Sequence, residues 1–585
     1  MKIKEAEKAT GLTSKTIRYY ESRGLVDVTR QDNSYRDYTD TDIALLKQIK
    51  TLRNLGVAIA DIKLWRDGVV GLRELVSKRR SELESDSKLG NEQRLVCESI
   101  LDRRVSIDDL GSGAAEYTES QSEYAGGGKL ALGVDIGTTS VSAQIVSLTT
   151  GEEIHTYNFD HEAAIDIDGF PDAFAEDAEM LVGRVAGLVK SALGAYPDIV
   201  SVGFSGAMHG IVCLDERMNI ISPLYTWQNG FGERDNGHGG TICDELRDMT
   251  GVRVPTGYGI VTLYALKKLG LLPEETSMIA TIADAAVLKL CGLTEPVIHP
   301  TMAASLGFWD IDQGKFLPCA AEITGKIRLP RVSGDYEVIG HICAGGKKIP
   351  VSSAVGDNQA GVFGSLRDED TLLVNVGTSG QVSLVGGVGD GEYRPYFDGK
   401  KLLSGSILCG GRAYAALADL VSETVSAFMA KPPRRDIYAL LNRLAENPPS
   451  DPLTISTRFC GTRSEPLLRG SIGGLSLGSF DLAHLADGIL RGIIEELHTM
   501  SLGMTEPGRK YGVVVSGNAM RRCAPLRRLC AEAFGSEPMT PAHIEESAFG
   551  AALHSAISAG EITRAESLKL IRYTEEKHTE RNESI

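Results

Sequence analysis

No stretch of this chain reaches the roughly 18 uninterrupted apolar residues that a membrane-spanning helix requires. Its first residues, Met1-Lys2-Ile3-Lys4-Glu5, are charged and amphipathic where a secretory signal would be apolar. Ten cysteines are scattered, with no CxxC pair and no Cys/His cluster at zinc spacing, which argues against a disulfide framework and a structural metal. Cys523 and Cys530, seven apart on a predicted helix, read as small apolar residues, and Cys97 reads as a lone, inert thiol. Together these absences predict a cytoplasmic protein that does not associate with membranes.

What is present is ordinary for a soluble globular chain: 42% hydrophobic and 24% charged residues. A length of 585 residues exceeds one core and predicts three or four domains. The net charge of −17 argues against nonspecific nucleic-acid binding by the chain as a whole. Residues 1–110, however, hold 21 Lys/Arg against 19 Asp/Glu, so the acidity lies almost entirely beyond them. Any binding of a polyanion therefore belongs to the N-terminal segment.

The clearest boundary is residues 109–129, containing GSGAAEYTESQSEYAGGGK, too poor in aliphatics to form a core and read as a flexible linker. Before it the pattern is helical. After it, β-branched runs alternate with glycines and helices, an α/β signature. The expected divisions are 1–70, a helix-turn-helix with a wing; 71–108, a long dimerisation helix; 130–365 and 366–558, two α/β lobes; and 559–585, a charged helix or tail.

A short helix ends at Gly11, Thr13 or Ser14 caps a second running through Lys15-Thr16-Ile17-Arg18-Tyr19-Tyr20-Glu21, and Gly24 stops it. That is the helix-turn-helix pattern. Leu25 to Tyr38 is β-leaning and rich in turn residues, as a wing would be. Leu72, Val76 and Leu83 then share a stripe suited to an antiparallel helix pair. Lys15 and Arg18 stand at the start of the second helix, where major-groove contacts are made, and Arg18, Tyr19, Arg36 and Tyr38 can donate to phosphates. The run Thr13 to Glu21 with Gly24-Leu25, then Tyr35-Arg36-Asp37-Tyr38, Ile43 and Ile49-Lys50, resembles a MerR-type transcriptional regulator. The resemblance implies a homodimer on double-stranded promoter DNA.

Beyond the linker, two apolar strands flank Asp135-Ile136-Gly137-Thr138-Thr139. Gly137 removes side-chain bulk, so backbone N–H groups and the Thr138 and Thr139 hydroxyls can approach phosphate oxygens. Asp135 supplies a carboxylate for Mg²⁺, usually through water. A second such hairpin follows, Val376-Gly377-Thr378-Ser379-Gly380, and two of them suggest two lobes gripping one nucleotide. Just ahead of it, Val355-Gly356-Asp357-Asn358 sets a carboxylate between small residues at a strand end, placed to accept a proton from a hydroxyl. Val513 to Ala519 is a strand running into a small-residue turn, and Glu546 to Ala552 opens a small-residue helix able to pack close to a planar base.

In this order, the pieces resemble the FGGY carbohydrate kinases, whose two lobes share the actin and hexokinase (ribonuclease H-like) ATPase fold. Ser205-Gly206-Ala207-Met208-His209-Gly210, Thr226-Trp227-Gln228, Ala304 to Gly307 and Gly461-Thr462-Arg463 look nearest the sedoheptulokinase-like branch, with xylulokinase next. The resemblance implies ATP and Mg²⁺ as cofactors and Asp357 as catalytic base. It assigns phosphate contacts to Gly137, Thr138, Thr139, Gly377, Thr378 and Ser379, and the adenine border to Gly517 and Asn518. Met208, His209, Trp227, Asn229 and Asn358 would line a ketose pocket. Three positions depart from that pattern: two in the turn Trp227-Gln228-Asn229-Gly230-Phe231, where Asp and Arg are typical around the glycine, and Ala207 in place of Gln. All three bear on the sugar and none on the phosphates or Asp357. Two functions follow as expectations: a bifunctional regulator and ketose kinase, or a sugar- and ATP-sensing transcription factor whose kinase fold binds without useful turnover.

Overall fold

The computed structural model describes residues 2–26, 28–30, 36–85, 127–428, 434–462, 465 and 467–574. Most of the expected linker, the dimerisation helix beyond Ser85, Cys97, Tyr35, Arg463 and the last eleven residues lie outside the described residues.

In the N-terminal region, helix Ile3–Thr10 meets helix Ser14–Ser22 across a tight turn, where Thr13 caps the second helix by accepting from Thr16 N–H (3.1 Å). The Glu7 carboxylate accepts from Ser14 N–H and ties the two helices together. Strands Thr29–Arg30 and Arg36–Asp37 pair antiparallel as the wing. Helices Asp40–Asn54, Ile59–Arg66 and Leu72–Ser85 follow, the first opened by a Thr39/Asp42 capping box. Their apolar stripes close one core with Ile17, Tyr20, Leu25, Tyr38, Leu46, Ile49 and Leu52.

The α/β part is built on two sheets. Among the described residues the first has seven strands, with Ile199–Gly206 at its centre. Leu130–Ile136 lies parallel to it on one side and hairpins with Ser140–Ser147. Lys347–Ser352 and Val355–Gly356 lie parallel to it on the other. The second sheet has five strands, in the order Glu392–Pro395, Lys401–Ile407, Gly380–Val385, Thr371–Val376 and Gly512–Ser516. A shared core of Val146, Val355, Phe363, Leu373, Phe397, Val514 and Phe549 joins the two.

Helix Glu546–Ser558 departs from expectation twice. Its sequence position assigns it to the second lobe, yet it packs on the first sheet, with its small residues turned into backbone rather than toward an open base site. A Cβ added at Gly133, Gly203 or Gly550 would overlap the carbonyl oxygen of Ala548, Ala551 or Ala360 respectively. Ala548, Ala551 and Ala552 are fully buried there. The small side chains serve close helix–sheet approach, and that corrects the adenine role read for this helix.

Nor does the N-terminal region stand apart. Ala60, Leu64, Val69 and Val70 belong to the core cluster of the first lobe, packed toward helix Ala178–Ala195. Among the described residues no helix is long and apolar enough to cross a membrane.

Candidate active site

The centre of the site is the C-terminal end of strand Ile199–Gly206. Asp135 pairs in register with Ser205, whose hydroxyl donates to Asp135 Oδ1 (2.7 Å). On the opposite side Val355 pairs with Ser205 and Gly356 with Gly206, so Asp357 emerges beside the same strand end as the first residue of helix Asp357–Ser365. Parallel pairing thus brings together two carboxyls 222 positions apart in sequence. Burial pushes Asp135 up to about 7, reinforced by the charge of Asp357 and opposed by the Ser205 hydroxyl. Burial likewise raises Asp357 to about 6, against the Asn358 N–H and the Arg394 guanidinium, which both favour its ionised form.

Around this pair stand most of the residues expected at a sugar. Met208 is buried with its sulfur beside Gly356. His209 takes a left-handed backbone (φ 76°), held there because Ser305 Oγ accepts its N–H (3.0 Å) and the Ser305 carbonyl accepts from ring Nδ1 (2.9 Å). Such strain costs on the order of 1–3 kcal/mol and persists where the surroundings fix it. Trp227, 46% exposed, donates from Nε1 to Thr138 Oγ1 (3.0 Å) and links its own turn to the hairpin of Gly137 to Thr139.

Asn229 is different. Its side chain is fully buried, donating to the Ala173 carbonyl (2.9 Å) and accepting from Phe231 N–H (3.1 Å), so it shapes the turn and offers nothing to a ligand. The carboxylate and guanidinium absent from this turn do stand next to it, supplied by Asp172 and Arg234, which pair with each other beside Gly230.

Sequence reasoning missed what the second lobe contributes. Arg394, 8% exposed, donates from Nη1 to Asn358 Oδ1 (3.2 Å) and forks onto Glu392 (3.0 and 2.9 Å), while Tyr258 OH donates to Glu392 (3.3 Å) and the Tyr258 and His209 ring centres lie 4.2 Å apart. With Oδ1 engaged, the Asn358 amide turns its N–H₂ away from Arg394. Nothing local in Glu392-Tyr393-Arg394-Pro395 marks it for a site, because edge-strand charges are usually solvated.

At the other end, Gly377, Thr378 and Ser379 form the turn between Thr371–Val376 and Gly380–Val385. Gly410, Gly411 and Arg412, at the start of helix Gly411–Ser426, donate backbone N–H groups to the Thr378 and Gly377 carbonyls (3.1, 2.8 and 3.1 Å). The Gly-Gly pair before a helix was the available signal for this strap. Gly517 has φ 88°, and a Cβ there would lie 2.6 Å from the Val376 carbonyl, so only glycine lets the strand end meet the hairpin. Asn518 opens the next helix at the same spot.

On the N-terminal region, Lys15 and Arg18 are exposed on helix Ser14–Ser22, and Tyr19 is half-buried under the Arg23 guanidinium (5.2 Å). Arg36 pairs with Glu21. Tyr38 is 1% exposed and part of the core, which corrects its reading as a phosphate donor: the aromatic ring completes a small hydrophobic cluster beneath the wing.

Residues 1–68 match the MerR HTH family of regulatory proteins, and residues 130–364 match the N-terminal domain of the FGGY family of carbohydrate kinases. The chain joins a MerR-type regulator to an FGGY carbohydrate kinase. The kinase part is similar to the sedoheptulokinase of Mus musculus, 26% identical over 474 residues that span 72% of this chain and 96% of that one. The MerR part is similar to the HTH-type transcriptional regulator HmrR of Rhizobium leguminosarum bv. viciae, 32% identical over 108 residues, 17% of this chain and 84% of the relative. In three dimensions the FGGY fold matches a xyloylose kinase from Brucella ovis with a TM-score of 0.66 at 18% identity, covering 76% of this chain and 94% of that one. The two-lobed sugar-kinase architecture is therefore the fold of this FGGY kinase.

Proposed function

We propose that the FGGY part phosphorylates the primary hydroxyl of a ketose with ATP, and that the MerR part binds promoter DNA, as a homodimer, in the cytoplasm. The observation that carries the enzymatic reading is the pairing of Asp135 and Asp357 at one strand end, with His209, Trp227 and Asn358 on the sugar side. Relatives named for sedoheptulose and xyloylose support a ketose.

Phosphoryl transfer spreads charge over the γ-phosphoryl oxygens, so positioning and electrostatics supply most of the catalysis. Asp357, titrating near 6, is ionised at neutral pH yet basic enough to take the proton as the sugar oxygen attacks. Arg394 fixes Asn358 so that its amide donates to a sugar oxygen. Gly137 to Thr139 and Gly377 to Ser379 bind phosphates through backbone N–H groups and hydroxyls, and Gly517 with Asn518 borders the base. Two neighbouring carboxyls raised by burial, Asp135 further by the charge of Asp357, are a donor set that fits a hard divalent cation. Mg²⁺ bound by Asp135 through water would neutralise phosphate charge.

The test is an ADP-release screen over sedoheptulose, xylulose and ribulose with Asp357→Ala as control. Turnover on one ketose, lost in the variant while ATP binding remains, is the expected result. Equal turnover in the variant would refute the base assignment. The packing of the MerR part onto the kinase favours one further reading, a sensor in which ligand binding alone shifts DNA affinity. ATP and sugar binding without ADP release on any ketose would select it.

A further inference from the structure

The expected flexible tether does not leave the two parts independent, and the interface between them leads to the nucleotide. Arg184, on helix Ala178–Ala195, stands where they meet. Its Nε donates to the Val69 carbonyl (3.0 Å), and Nη2 forks onto both Glu74 oxygens (2.9 Å each), so one side of the guanidinium grips the N-terminal region. Nη1 donates to the carbonyls of His161 (2.9 Å) and Asp160 (3.3 Å) at the end of strand Glu153–Asp160. The guanidinium lies 4.5 Å over the Phe159 ring, largely out of water.

His161 in turn holds both ends of the first phosphate turn. Its N–H donates to the Thr139 carbonyl (3.1 Å). Ala163 N–H donates to ring Nδ1 (3.2 Å), so the neutral ring carries its proton on Nε2, 3.3 Å from the Gly137 carbonyl. Thr138, between them, accepts from Trp227. A continuous chain of hydrogen bonds therefore runs from Glu74 through Arg184 and His161 to Gly137 and Thr139.

We infer that Arg184 is a positioning residue for the first phosphate hairpin, and that the docked DNA-binding region, through Glu74 and Val69, holds it in place. Nucleotide binding and docking of that region are then linked, each favouring the other by the same factor. The inference rests on the reading that Gly137 to Thr139 bind phosphate. The rest of the interface does not depend on Arg184: Asp67 accepts from Ser191 (2.8 Å), buried Asp61 pairs with Lys78 and faces His155, and Val69 packs against Gly187. Loss of the arginine should loosen the link without detaching the region.

The experiment titrates the full chain with ATP and Mg²⁺ by calorimetry, with no sugar needed. Arg184→Gln is expected to weaken ATP binding about 10-fold, a typical coupling between linked sites. Glu74→Gln should weaken it less, and the double variant should bind no worse than Arg184→Gln alone, as members of one relay do. Arg184→Lys, which keeps the charge but loses the fork, should fall in between. In the unaltered chain ATP should slow hydrogen exchange in Val69–Leu75, and in Arg184→Gln it should not. ATP affinity unchanged in Arg184→Gln, or fully additive effects of the two substitutions, overturns the inference alone. No ATP binding by the unaltered chain overturns the phosphate-hairpin reading beneath it.

Discussion

Replacing Asp135 by Asn should stabilise the folded kinase at alkaline pH while removing the carboxylate proposed to hold Mg²⁺. Asp135 is held up to about 7 from an ordinary 3.8, chiefly by burial and then by Asp357. A carboxyl that binds its proton more tightly folded than unfolded loses stability as pH rises from 3.8, and the loss is complete above about 7. At about 1.4 kcal/mol for each tenfold change in proton affinity, keeping this carboxylate ionised costs on the order of 4 kcal/mol, an upper bound because Asp357 shares it. Asn keeps the size of the side chain and an oxygen for the Ser205 hydroxyl, so the substitution removes charge with little change in packing. Scanning calorimetry should show the variant above the parent at about pH 8, the gap narrowing to roughly 1.7 kcal/mol at about pH 5 and closing only below about pH 4. Added Mg²⁺ should raise the parent's midpoint at the higher pH and leave the variant's unmoved. A parent whose midpoint is flat between about pH 5 and pH 8, or a variant that melts earlier at about pH 8, would show that burial and the neighbouring Asp357 do not hold the Asp135 carboxyl up.

Gly133→Ala should cost about 3 kcal/mol or more, because the new methyl meets the Ala548 carbonyl and no rotamer relieves it; soluble yield and the unfolding midpoint report this, and a wild-type midpoint would disprove the close approach. Asn229→Ala should destabilise by roughly 1–3 kcal/mol by leaving the Ala173 carbonyl and Phe231 N–H without their partner, an effect seen in urea unfolding of the chain without any ligand. Lys15→Ala with Arg18→Ala should weaken DNA binding and flatten its salt dependence in fluorescence anisotropy while ATP affinity holds; unchanged salt dependence would move the DNA face elsewhere.

The sequence by itself determined the elements and the chemistry-bearing turns. Capping residues such as Thr13 and Thr39, the glycines that end helices, and apolar strands entering Gly-Thr turns act over a few residues, so their consequences are readable locally. Asp135 and Asp357 were legible for the same reason, each being a carboxylate at the end of an apolar run. Tertiary structure decided which groups face a ligand and which are used up within the fold. Asn229 and Tyr38 have side chains that suit a site, but burial commits them to the turn and the core. Arg394 has a side chain that suits solvent, but the second lobe carries it to Asn358. The small residues of helix Glu546–Ser558 were visible, and their purpose was not, because contact with Gly133 and Gly203 joins segments more than 300 residues apart. The same holds for the link between the two parts: Glu74, Arg184 and His161 carry no common motif, and only packing places one guanidinium between the MerR region and the turn of Gly137 to Thr139.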